Sequence, residues 1–256
     1  MTQIALSPLI RSGLTLMRAG RWNDATELLA AARPDTPDER LALAAALAEV
    51  AVDQDFAQQT DNADPALVVL AEALSETPDA CTGWDFTFLR LRKDYGTALV
   101  TGARDSGAEL AGRARQLSES APDESRSGHA WFYAGVIADN LLDSPADAFA
   151  AYKTALDLGE HSDDDLLISL ALRHLGDHAH TAGDLALARL HWERSTELRQ
   201  KIGHLLGALA QQTLLAMLAR DEGNPAASIA LATEVNRWSH QVNIPFLQAQ
   251  SADLMT

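Results

Sequence analysis

Apolar positions along this chain recur with the period of helices, and the segment 163–200 shows it best: DDDLLISLALRHLGDHAHTAGDLALARLHWERSTELRQ. Leu167, Leu170, Leu172, Leu175 and Ala179 follow one another at spacings of two to four, which places them on one side of a helix. Asp163–Asp165 offer an N-cap and first-turn acids at its start. Gly183 stands where a left-handed residue would end it. A second helix opens at Asp184, with Leu187, Ala188, Leu190, Trp192, Ser195 and Leu198 as its expected buried stripe. Two antiparallel helices and a tight turn make one unit. No segment shows the period-two alternation of a half-buried strand.

The unit recurs. Small residues stand at Ala25, Ala66, Gly107, Ala148, Ala188 and Ser228, spaced 41, 41, 41, 40 and 40. Seven positions after each come Ala32, Ala73, Ala114, Ala155, Ser195 and Val235. Five positions before each stands a turn-permissive residue: Gly20, Asp61, Gly102, Asp143, Gly183 and Gly223. Self-similarity at such a period marks an array of stacked units. The expected organisation is one domain over 1–256, with units at 6–37, 38–79, 83–121, 127–160, 163–200 and 204–240. A short segment, 243–256, would cap the last apolar face. The second unit is expected to carry a polar insertion between its helices at Asp55–Asp64. The third is expected to have an unusually long first helix through Trp84, Phe88, Leu91 and Tyr95.

Within the fifth unit, Leu172, Leu175-Gly176, Ala179, Gly183, Ala188 and Trp192 resemble the tetratricopeptide repeat (TPR) pattern. The fourth unit repeats it with Trp131, Ala134-Gly135, Ala138, Ala148, Tyr152 and Ala155. The first does so with Leu9, Ser12-Gly13, Leu16, Gly20, Ala25, Leu29 and Ala32. The small residues let paired helices approach closely and the bulky ones fill the space beside them. The period of 40–41 is longer than the family's usual one, and the stretch from Ala186 to Asn224 is similar to the C-terminal repeats of bacterial transcription regulators. No G-x-x-x-x-G-K-[ST] motif accompanies it. The resemblance implies an all-α, right-handed superhelical solenoid of about six helix-turn-helix units.

The same resemblance implies that first helices line a concave ligand groove. It places there Arg92 and Lys93; His129, Phe132, Tyr133, Asp139 and Asn140; Arg173, His174, Asp177, His180 and Thr181; and Thr213, Met217 and Arg220. Arginine's planar fork suits carboxylates, so a peptide, a protein segment or a small acidic molecule is the expected ligand. The competing expectation is that these arginines pair with Asp139 and Asp177 and merely satisfy the groove.

Charge changes the picture in one direction. The net charge is −16 and lies almost wholly in residues 1–180, while 181–256 is nearly neutral. Phosphate neutralisation by Lys and Arg drives nucleic-acid binding, so that class of partner is not expected. The single cysteine, Cys81, admits no internal disulfide and fits a reducing cytoplasm. Arg11 and Arg18 interrupt any secretory leader, and no membrane span is expected.

Histidines are the remaining anomaly. His174 and His178 sit four apart with Asp177, His180 and His191 nearby, a spacing that can share a metal or serve acid–base work; structural roles are the plainer expectation. No nucleophile elbow, phosphate loop or C-x-x-C pair is present. Trp84, Trp131, Trp192 and Trp238 are expected as core wedges. The sequence thus points to a bacterial, cytoplasmic interaction module without catalytic residues, metal or cofactor. Its alternatives are an enzyme using His129, Arg173, His174, Asp177 and His180, or a self-associating scaffold such as a homodimer.

Overall fold

The turn residues picked out by the registers do bend the chain in the computed structural model, which describes residues 5–255. Gly20, Gly102, Asp143, Gly183 and Gly223 all adopt positive φ, from 51° to 82°, a region that glycine enters without steric cost. Each ends the first helix of a pair. The pairs are α1 (Leu6–Arg18) with α2 (Trp22–Ala30), α3 (Pro37–Gln58) with α4 (Ala63–Glu76), and α5 (Ala80–Thr101) with α6 (Gly107–Glu119). They continue with α7 (Glu124–Asn140) and α8 (Pro145–His161), α9 (Asp165–Thr181) and α10 (Leu185–Lys201), and α11 (Leu205–Asp221) and α12 (Pro225–Gln241). A last helix, α13 (Pro245–Asp253), covers the end of the α11–α12 pair. No strand occurs among the described residues. The outermost residues of the expected 1–256 domain, 1–4 and 256, lie outside them.

Connections between pairs follow the same logic. Asp163, Gly203 and Asn243 turn the chain at positive φ at intervals of forty residues. Side chains of Asp79, Asp123, Asp164 and His204 then accept the first free N–H groups of the next pair, as Asp184 and Asn224 do for the second helices of theirs. Thr36 and Glu39 close a reciprocal capping box on α3.

Within pairs, a glycine on the first helix receives a large side chain from the second. A Cβ on Gly135 would lie 2.4 Å from the Tyr152 ring, one on Gly176 2.4 Å from Trp192, and one on Gly13 2.8 Å from Leu29. Tyr152, Trp192 and Leu29 are fully buried as a result.

Three expectations need correction. Leu187 and Leu190 are 40 % and 63 % exposed, because Ala188, Trp192 and Ser195 already fill the contact with α9. Trp238 is 36 % exposed and bonds Glu234 on the surface, so it is no wedge. In the second unit α3 runs on to Gln58, and the turn residue is Gln59, not Asp61. The Asp55 carboxylate then caps the following helix, accepting from the Asn62 and Ala63 N–H groups at 2.8 Å.

First helices pack on one another in file, α1 to α3, α3 to α5, α5 to α7 and α7 to α9, more closely than second helices do. First helices therefore line the inside of the curve. The curve closes on itself. Met17, Trp22, Leu29 and Val50 share one buried cluster with Leu206, Leu209, Val235, Ile244 and Leu247. Gln58 Nε2 donates to the Val242 carbonyl at 2.9 Å, and Phe56 meets Phe246 edge-on at 6.5 Å. The first and last units lie side by side.

Candidate functional site

The inner wall carries rings and charges that the first helices bring together. Trp84 stacks on Phe88 at 5.1 Å, and Phe88 meets Tyr133 edge-on at 5.2 Å. Tyr133 in turn touches Tyr95 and Phe132. Tyr152 stacks on His174 at 4.7 Å. These rings form a continuous wall from α5 to α9.

Arg92 lies in this wall and is neutralised from α3. Its Nη1 donates to Glu49 Oε1 at 2.5 Å, with Asp53 Oδ1 3.8 Å from Nη2. Burial alone would lower the Arg92 pKa, but Glu49, Tyr133 and Asp53 hold it above the ordinary value. Asp53 is raised by its own burial, against Arg92 and the Trp22 Nε1–H that donates to it at 2.7 Å. Lys93 reaches Asp64 at 2.5 Å.

Arg173, His174 and Asp177 form a second cluster. Arg173 Nη1 donates to Asp177 Oδ2 at 2.7 Å and lies 3.1 Å from both ring nitrogens of His174. Burial, reinforced by Arg173, Arg199 and His178, holds His174 well below the usual imidazole range, so its ring is neutral. Burial raises the Asp177 carboxyl against the pull of Arg173. Asp139 turns to Tyr152, whose hydroxyl donates to it at 2.8 Å, and to His178 at 3.1 Å, not to an arginine.

The remaining candidates are dispersed. His129 meets Asp164 at 3.0 Å, where Ser125 also donates. Asn140 donates to the Tyr95 hydroxyl at 2.7 Å, and Phe132 is buried. His180 pairs with Asp221 at 2.8 Å, and Arg220, with a half-exposed side chain, lies beside the same carboxylate at the edge of the wall. Three of these histidines, at 129, 178 and 180, thus engage an aspartate of the adjacent pair rather than one another. No group of three or more possible metal ligands converges among the described residues, and no described helix is long and apolar enough to cross a membrane.

Sequence reasoning missed one functional candidate, Arg199, because it lies on a second helix. It is 5 % exposed and buried between α10 and α11.

No family's sequence profile matches the chain, and no curated protein does. Solved structures do. Aspartyl phosphate phosphatase F from Bacillus subtilis superposes with a TM-score of 0.58 at 11 % identity, over 99 % of this chain and 80 % of that one. A Signal Transduction ATPase with Numerous Domains from Pyrococcus horikoshii, which carries a tetratricopeptide repeat sensor, gives 0.50 at 15 % identity. This chain has a TPR-like helical-repeat fold. The match to the ATPase covers 94 % of this chain and 37 % of that one. BtubC from P. vanneervenii gives 0.52 at 17 % identity, covering 94 % and 93 %. At these identities the likeness is one of fold.

Proposed function

We propose that this TPR-like array is a binding module whose inner wall holds an acidic ligand, either a peptide or protein segment or a small acid. The observation that supports it is the state of the wall's polar groups. His129, His178 and His180 are each tied to an aspartate of the neighbouring pair, and His174 is kept neutral beside Arg173. Such groups are fixed in place by partners within the fold, which suits recognition on a rigid, preformed surface. The similar phosphatase and sensor proteins share the fold, and their names add the idea of a regulatory setting. A bacterial cytoplasm is the proposed setting, consistent with one exposed thiol at Cys81.

The test is native mass spectrometry of the full chain purified from its natural source, in wild-type, Arg173→Ala and Arg113→Ala forms. Arg113 sits on α6 and pairs with Asp94 away from the Arg173 cluster. A co-purified acidic mass retained by Arg113→Ala and lost by Arg173→Ala is the expected result. Loss in Arg113→Ala alone would move the site to the outer surface, and equal retention in both would place it off the inner wall.

A further inference from the structure

One junction breaks the packing rule its neighbours obey. Where a second helix meets the first helix of the next pair, a small residue faces a leucine. Gly159 of α8 lies against Leu167 of α9, and Ser239 of α12 and Leu247 of α13 hold the matching buried positions eighty residues on. Midway, at 199 and 207, the sizes are exchanged: α10 supplies Arg199 and α11 supplies Gly207. A Cβ on Gly207 would stand 1.7 Å from Arg199 Nη1 and 2.4 Å from its Cδ. The absent leucine is what admits the guanidinium.

No carboxylate among the described residues pairs with that charge. The Arg199 side chain makes no hydrogen bond or ion pair with the described residues, and its Nε is buried without an acceptor. Burial, then repulsion from Arg173, draws its pKa down to about 9, so it remains a cation at neutral pH. Gln211 follows Gly207 by one helical turn on the same side of α11. It is fully buried, and neither its Oε1 nor its Nε2 has a partner. The matching positions are Ala130 in α7, Ala171 in α9 and Ser251 in α13, whose hydroxyl donates to the Leu247 carbonyl of its own helix, so Gln211 alone among them is left unpartnered. His204 accepts the Gly207 N–H at Nδ1, 2.9 Å away, which leaves its proton on Nε2. Burial and Arg199 lower its pKa to about 3, and the ring stays neutral. The neighbouring first helices α9 and α11 also stand further apart than α7 and α9 or α11 and α13.

A buried cation and amide without partners are destabilising, and the matching positions of the flanking junctions hold neither. We propose that the α10–α11 junction is a carboxylate-binding site in which Arg199 grips the anion, with Gln211 and His204 supplying further polar contacts. The assignment rests on the binding-module reading and names its ligand chemistry. A guanidinium fork matches a planar carboxylate with two parallel bonds. The Gln211 amide offers one donor side and one acceptor, which suits a carboxylate with an adjacent N–H, as at a peptide C-terminus.

The experiment is calorimetric titration of the full chain with N-acetylglycine, N-acetylglycinamide and inorganic phosphate at constant ionic strength. Wild type, Arg199→Met, Gln211→Leu and Arg113→Ala are compared, with thermal midpoints measured for each. Saturable N-acetylglycine binding is expected in wild type, unchanged in Arg113→Ala and weaker by about ten- to a hundredfold in Arg199→Met. The amide should not bind. The ligand-free midpoint of Arg199→Met should rise, because an uncompensated buried cation is gone. A lowered midpoint, or failure of that variant to fold, would show that the protein already satisfies Arg199 and would overturn the proposal. So would the absence of saturable binding in wild type, equal binding of the amide, or a response to phosphate alone. A co-purified ligand that survives Arg199→Met but not Arg173→Ala would reject this site and leave the binding-module reading intact.

Discussion

At the scale of single residues, His174 and His204 have a measurable consequence. Both are held neutral in the fold, His204 at about 3 and His174 well below the ordinary 6.5. On unfolding they regain the ordinary value, so below about pH 6.5 the unfolded chain binds more protons than the native one. Stability then rises with pH across that window. Each histidine contributes up to about 1.4 kcal/mol per pH unit between its two values. Asp164 acts lower on the scale. Burial pushes its carboxyl up, but His129, Ser125 and the Leu167 N–H outweigh this and hold it well below 3.8. Its contribution is therefore present above about 3.8 and lost only as pH falls further. Urea midpoints measured from pH 8 to pH 4.5 should fall steadily below 6.5, and His204→Asn, which keeps an N-cap side chain, should flatten the slope. A flat profile in wild type would mean that these rings are already accessible to protons. Arg173, His174 and Asp177 were legible in the sequence because they follow the register of a first helix. Arg199 was not, since its register calls for a small residue; the exchange of Leu167 for Gly207 forty residues on was the available signal.

At the scale of helices, two glycines with the same intrinsic handicap should respond oppositely to alanine. Alanine favours a helix over glycine by about 1 kcal/mol. At Gly112, exposed on α6 with nothing near its would-be Cβ, that preference acts alone, and Gly112→Ala should stabilise by roughly 0.4–1 kcal/mol. At Gly176 the new methyl would lie 2.4 Å from a fully buried Trp192, whose Nε1 also donates to the Arg173 carbonyl at 2.9 Å. The indole has no room to yield, so overpacking of about 1–3 kcal/mol outweighs the preference and Gly176→Ala should destabilise. Chemical denaturation of the two variants checks both signs. Helix pairs were readable from the phase of Gly176, Gly135 and Gly13 against Trp192, Tyr152 and Leu29. Helix faces were less so: in an alanine- and leucine-rich chain, exposed Leu187 and Leu190 fall on helical spacing as readily as buried residues do.

At the scale of the molecule, the seam between first and last units decides the shape. Val242 accepts the bond from Gln58 through its carbonyl, and its side chain approaches within 3.6 Å of where a Cβ on Gly20 would stand. Val242→Asp should desolvate a carboxylate there or part the units. Small-angle scattering should then show a larger radius of gyration while circular dichroism keeps its helical intensity. An unchanged radius would mean that the seam does not hold the ends together. Nothing periodic in the sequence announces this contact, because it joins positions 184 residues apart once the curvature of every unit has accumulated.

A linear array of repeats melts from its termini, where each outermost unit has a single neighbour to lose. Here the unit that contains α1 has a neighbour on both sides, and so does the one that contains α11. Opening any one of them therefore breaks two interfaces at once. Fraying gives way to all-or-none behaviour, and amide protons near Gln58 and Val242 should exchange as slowly as those beside Trp192.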